Sequence, residues 1–153
     1  MGKNMSEIKL IKGGCAVDDR GCLRFVNDFD FFGVKRFYQV ENHDINFIRA
    51  WHGHKKEAKY VYVAKGSIIV GVVGIDKYNS EVKNGKIEDV SKFILSDKNP
   101  SILFIPANNF NGFKNLEDDT RVIFYSTSSL EDSKGDDIRG DYDYWNIWSE
   151  NYR

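Results

Sequence analysis

Proline and cysteine are scarce in this 153-residue chain, at two each. Cys15 and Cys22 have no further cysteine to complete a zinc set or a disulfide framework, so they read as reduced packing residues. Charge of one sign is missing too. Lys and Arg number 22 against 23 Asp and Glu, a formal net charge of −1, which leaves no basic field to attract nucleic acid or an anionic membrane. Apolar runs such as Ser67 to Ile75 fall far short of the roughly 20 residues a membrane helix needs, and the opening MGKNMSEIKL lacks a signal peptide's apolar stretch. The expectation is a soluble, cytoplasmic protein with neither nucleic acid nor membrane as partner. Internal repeats, low-complexity tracts and an interdomain linker are absent, so 1–153 reads as a single domain.

Helix-period segments are also rare; in their place stand short β-branched and aromatic runs punctuated by Gly, Asn and Asp. Strands are expected over Cys22 to Asn27, Val34 to Val40, Ile48 to His52, Lys59 to Lys65, Ser67 to Ile75, Val90 to Leu95, Ser101 to Ile105 and Thr120 to Thr127. Such a set suits an all-β double-sheet jelly roll. Lys65-Gly66-Ser67 reads as a tight hairpin, Asn84-Gly85-Lys86 closes the polar excursion from Asp76 to Ile87, and Asp97-Lys98-Asn99-Pro100 is a further turn. Both faces of Tyr60 to Val63 and of Ser101 to Ile105 are apolar or aromatic, as in sandwich strands or strands at an oligomer interface. The aromatic tail must dock: Tyr142, Tyr144, Trp145 and Trp148 either form a short amphipathic helix covering the sandwich or a neighbouring subunit, or simply pack into the core in extended form.

The histidines are His43, His52 and His54, and two of them share Arg49-Ala50-Trp51-His52-Gly53-His54. In a strand that continues through Gly53, His52 and His54 face one side, and Arg49 faces the other unless a bulge intervenes. Two imidazoles on one wall invite proton transfer at neutral pH. Lys59 opens the next strand, where its ammonium is placed to stabilise negative charge developing on a substrate oxygen. Arg20 and Arg36 are guanidinium forks suited to a diphosphate, and Tyr125 is a phenol near the end of the last long strand that can return a proton.

These residues resemble the RmlC-like cupins, typified by dTDP-4-dehydrorhamnose 3,5-epimerase. Asp19-Arg20-Gly21 is similar to that family's D-x-R-G element, Gln39 to His43 to its Q-x-N stretch, and Ile48 to His52 to the L-R-G-L-H segment with the catalytic base. Lys59 to Gly66 resembles K-L-V-x-V-x-x-G, Ile105-Pro106 with Asn111-Gly112-Phe113 resembles I-P-x-x-x-x-H-G-F, and Tyr125-Ser126-Thr127 resembles the Y-x-T strand. The resemblance implies a cupin double-stranded β-helix and a homodimer exchanging N-terminal strands. It implies a nucleotide-sugar epimerase that works beside the 4-keto group of a nucleoside-diphosphate 4-keto-6-deoxyhexose, in surface polysaccharide or deoxysugar biosynthesis. His52 is then the base and Lys59 the enolate cation, with Tyr125 and His54 as further catalytic residues. Arg20, Arg49, Gln39, Asn42 and Asn111 bind substrate, and Arg20 comes from the partner subunit.

The departures from the pattern are informative. A second family tyrosine falls near Leu130, and Asp141 or Asp143 stands in for the aspartate that supports the base. A cupin metal set would need a histidine where Asn111 stands beside His52, His54 and Glu57, so neither metal nor other cofactor is expected. His52-Gly53-His54-Lys55 also resembles the H-x-H-K of dTDP-sugar 3,4-ketoisomerases, which is the alternative reading; a non-catalytic sugar-nucleotide-binding cupin is the second alternative.

Overall fold

A computed structural model of the chain describes residues 5–149. Twelve strands are present among them: β1 (Lys9–Lys12), β2 (Gly14–Asp18), β3 (Gly21–Phe25), β4 (Arg36–Glu41), β5 (Ile48–His54), β6 (Lys59–Lys65), β7 (Ser67–Gly74), β8 (Ser91–Ser96), β9 (Ser101–Ile105), β10 (Asn109–Asn115), β11 (Arg121–Ser126) and β12 (Ile138–Arg139). One antiparallel sheet runs β1-β9-β6-β11-β4, the other β12-β5-β10-β7-β8, and β2-β3 stands apart as a two-stranded ribbon. This is the expected jelly roll. Period-2 alternation decides the core: Val61, Val63, Leu103, Ile105, Val122 and Phe124 of the first sheet meet Ile68, Val70, Val72 and Phe113 of the second.

Both sheets are also covered outside, which is why β6 and β9 are apolar on two faces. Tyr60, Ile102 and Phe104 lie under Met5, Ile11, Val26, Phe29 and Val34. On the second sheet the C-terminal segment brings Tyr144, Trp145, Ile147 and Trp148 onto Trp51, Val73 and Phe110. The segment packs as turns and extended chain, so the helix reading of the tail is not met, and Tyr142 stays exposed. Residues 150–153 of that tail lie outside the described residues. The single α-helix among the described residues is α1 (Leu130–Lys134), capped by Ser129 Oγ accepting from the Asp132 N–H at 3.1 Å. Cys15 and Cys22 are exposed on the ribbon opposite Arg24 and Val17, so the packing role expected for them is also not met.

One irregularity shapes the wall of the sandwich at its open end. Against β10, the register steps from Asn111↔His52 to Phe113↔Arg49, leaving an extra residue on β5. This bulge turns Arg49 to the same side as His52 and His54.

Candidate active site

At one mouth of the sandwich the two sheets splay around a cavity of about 300 Å³. Arg36, Tyr38 and Val40 of β4, Lys59 of β6 and Phe124 of β11 form one wall; Arg49, His52 and His54 of β5 with Asn111 and Phe113 of β10 form the other. The segment after Asp132 closes the rim with Ser133, Lys134, Asp137 and Arg139. Apart from the histidines, the lining carries five cations and one carboxylate, a field that suits a multiply charged anion.

His52 is half-buried, and its backbone carbonyl accepts from Asn111 Nδ2 at 3.3 Å. Burial, and then the nearby positive charges of Arg139 and Lys59, push its imidazole down to about 4, so the ring is neutral at pH 7 and has a lone pair free to accept a proton. Asp137 pulls the other way. Gly53 lets the Phe110 ring pack against the strand between the two histidines, since a Cβ there would lie 2.8 Å from that ring.

His54 is different: both of its ring nitrogens face protein oxygens. Nδ1 lies 2.7 Å from the Asp136 carbonyl oxygen, which can only accept, and Nε2 lies 3.1 Å from Glu57 Oε2. Glu57 is fully buried and gathers Arg36 at 3.5 Å, Lys59 Nζ at 3.6 Å and the Ser126 hydroxyl at 2.5 Å. The Asp136 carboxylate accepts the backbone N–H groups of Lys55, Lys56 and Glu57 at 2.8, 2.8 and 3.0 Å. Burial raises its pKa, but those three bonds outweigh burial and hold it below the usual range.

The sequence-based assignments separate cleanly here. His52, His54, Lys59, Arg49 and Asn111 meet in the cavity. Asn42 stands just behind, accepting from Arg49 Nε at 2.5 Å. Gln39 is exposed on the other face of β4 and donates to Glu41. Arg20 is 87% exposed on the β2-β3 ribbon, paired with Asp18 and outside this chain's cavity. Tyr125 also points away: Phe124 faces the cavity, and the next residue along the strand packs against Phe29, Phe31 and Phe37. The cavity's phenol belongs instead to Tyr38, the cross-strand partner of Phe124. Asp141 and Asp143 do not line the cavity; Asp137 does.

Sequence reasoning misses Tyr38, Asp137, Arg139 and Lys134. The β4 alternation carries the signal for Tyr38, since Tyr38 shares parity with Arg36; nothing local points to the others. Among the described residues no group of three His, Cys, Asp or Glu side chains is arranged to hold a metal ion. No helix among them is long and apolar enough to cross a membrane.

Comparison with known proteins adds an independent line. A family model described as dTDP-4-dehydrorhamnose 3,5-epimerase matches residues 3–148. The "probable low-salt glycan biosynthesis epimerase Agl13" of Haloferax volcanii is 26% identical over 98 residues, which is 63% of this chain and 60% of that relative's length. Among solved structures, a 3,4-ketoisomerase from Helicobacter canadensis superposes with a TM-score of 0.67 at 22% identity, covering 91% of this chain and 94% of the other. The rmlC epimerase of Mycobacterium tuberculosis does so at 0.67 and 16% identity, covering 90% and 70%. At those identities the superpositions speak to the fold.

Proposed function

This chain belongs to the dTDP-4-dehydrorhamnose 3,5-epimerase family, and from that premise we propose that it is a nucleotide-sugar epimerase acting beside the 4-keto group of a nucleoside-diphosphate 4-keto-6-deoxyhexose. The observation that carries this reading is a neutral imidazole, His52, sharing one cavity with the ammonium of Lys59. A carbon-bound hydrogen next to a ketone becomes acidic only as the oxygen takes up charge, so base and cation must act together. His52 takes the proton and becomes imidazolium, the electron pair moves onto the ketone oxygen as an enolate, and Lys59 stabilises that oxyanion. Tyr38 is the cavity's phenol and supplies the proton that returns to the opposite face of the carbon. The imidazolium then restores the phenol's proton through solvent, leaving the enzyme unchanged.

Arg49, Lys134 and Arg139 at the rim bind the diphosphate, which a guanidinium fork and an ammonium suit well. A further cation comes from a second copy. The β2-β3 ribbon exposes Val17 at 76% and Leu23 at 66%, apolar surface that a homodimer would cover while bringing Arg20 to the neighbouring cavity. The protein works in the cytoplasm, supplying an inverted sugar for surface polysaccharide or deoxysugar assembly.

Keto transfer between carbons 3 and 4 is less well served, because a second imidazole would have to carry protons and His54 turns both nitrogens to protein oxygens. Incubation with dTDP-, UDP-, GDP- and CDP-linked 4-keto-6-deoxyhexoses in heavy water, followed by NMR, tests the reading. Deuterium at C3 or C5 with the ketone still at C4 is expected. A ketone at C3 would mean ketoisomerisation, and tight nucleotide-sugar binding with no exchange would mean a non-catalytic binding protein.

A further inference from the structure

Glu57 is a buried charge that the proton transfers of His52 and Tyr38 leave unused. Its side chain has no solvent exposure, yet it is ringed by Arg36, His54 and Lys59. A buried ion cluster of this kind is a poor source of stability, since well-packed apolar side chains of the same volume do as well or better. Its presence beside a catalytic cavity therefore calls for a positional reason. The two carboxylate oxygens are treated differently. Oε1 accepts the Ser126 hydroxyl and lies against Arg36, while Oε2 has no aligned hydrogen bond and stands between His54 Nε2 and Lys59 Nζ.

We propose that Glu57 is the positioning residue for the Lys59 ammonium, and that His54 and Asp136 are the bracket that holds Glu57, so His54 carries no proton to substrate. The inference rests on the epimerase reading for the role of Lys59. Lysine is a flexible arm ending in a strongly hydrated charge, and on its own it has little reason to stay fixed in a cavity. Here its side chain is 11% exposed, its ammonium lies 5.9 and 5.7 Å from the Tyr38 and Phe124 ring centres, and Oε2 holds it from behind. Glu57 cannot drift, because Ser126 fixes one oxygen and Asp136 pins the backbone of the turn from Lys55 to Glu57. The Asp136 carbonyl accepts from His54 Nδ1–H and so sets the orientation of the ring, with Nε2 3.1 Å from Oε2. The arrangement sets a cation in advance at the point where enolate charge develops, which is where electrostatic catalysis gains most.

The test is Glu57→Gln, which keeps the shape and removes the charge. With dTDP-4-keto-6-deoxyglucose in heavy water, the expected result is a fall in kcat for deuterium exchange of about 100-fold with KM within about threefold of wild type, the signature of a misplaced transition-state group. A second readout needs no substrate: the ¹⁵Nζ resonance of Lys59, assigned with Lys59→Met, should be visible in the wild type and shift or vanish in Glu57→Gln. If Glu57→Gln does not fold, Ser126→Ala leaves the carboxylate but removes the hydroxyl bond to Oε1, and a several-fold loss in kcat with a shifted Lys59 signal is expected. Wild-type kcat, or a loss confined to KM, would overturn the positioning role. Should the wild-type protein exchange no keto sugar at all, the epimerase reading fails on its own account, and an unmoved Lys59 resonance in the variant would separately sink this one.

Discussion

The depressed pKa of His52 makes a quantitative prediction about pH. With the free imidazole titrating near 4, the acid limb of kcat/KM, which reports the free enzyme, should centre there and not near the ordinary histidine value of 6.5. At pH 5 a base of pKa 4 is about 90% neutral, whereas an ordinary one is about 3% neutral, so activity retained at pH 5 differs about 30-fold between the two cases. Deuterium exchange into a 4-keto sugar nucleotide, measured in buffers from about pH 4.5 to 8 with circular dichroism to confirm folding at each point, separates a limb near 4 from one near 6.5. Burial is the largest cause and Arg139 the next, so Arg139→Gln should move the limb upward while leaving it below 6.5. Asp137→Asn should move it further down, because that carboxylate raises the value. The same group bears on stability. The unfolded chain binds more protons at this site between about pH 4 and 6.5, so stability climbs with pH through that window, and His52→Gln should flatten the climb. A wild-type limb between about pH 6 and 7, or Arg139 and Asp137 variants that shift in the same direction, would refute the account of a base tuned by burial and neighbouring charge.

The cavity geometry fixes other outcomes. Lys59→Met should lower kcat by about 10²- to 10³-fold through loss of oxyanion stabilisation, measured by steady-state exchange under conditions where the protein remains folded. Tyr38→Phe should lower kcat by about 10²-fold while Tyr125→Phe stays within about twofold, since only the first ring lines the cavity; equal losses would contradict the strand parity. His54→Gln should reduce kcat without changing which sugar carbon gains deuterium, as a bracket would and a proton carrier would not. Trp145, fully buried between Trp51, Phe110 and Tyr144, should cost about 3–5 kcal/mol when cut to alanine, read by urea denaturation.

The strands that sequence reasoning finds are those whose own residues favour the pleat, and β3 to β9 and β11 all fall where β-branched and aromatic runs predict them. β10 escapes because Asn109-Phe110-Asn111-Gly112-Phe113-Lys114-Asn115 has turn-like composition; it is a strand because β5 and β7 pair with it on both sides. The two-residue β12 exists only through its pairing with Gly53 and His52, which puts the rim residues Asp137 and Arg139 out of reach of local patterning. Tyr125 fails for a different reason. A one-residue change in parity moves a side chain to the opposite face of a sheet, and a short tyrosine-bearing segment does not say which face is inside. The places of His52, Lys59 and Asn111 in the cavity are legible because they follow from residue type and from adjacent strands. Asp136 is not, since its three donors lie about 80 positions earlier in the chain.

The contrast between the two histidines bears most on the chemistry. Both project from β5 into the same cavity, yet no hydrogen bond to protein is found on the His52 ring among the described residues, whereas the His54 ring is bonded at Nδ1 and has Nε2 against a carboxylate oxygen. A proton carrier must present a nitrogen to substrate in one step and exchange its proton afterwards, which a ring bonded to a carbonyl at Nδ1 and set against a buried carboxylate at Nε2 can do only by leaving one of those contacts. Leaving the Nε2 contact would take away one of the groups that ring the buried Glu57 carboxylate. The H-x-H pattern alone therefore does not specify two-base chemistry. What decides the matter is the carboxylate three residues later, Glu57, which turns the second histidine from a reagent into part of the wall that aims Lys59.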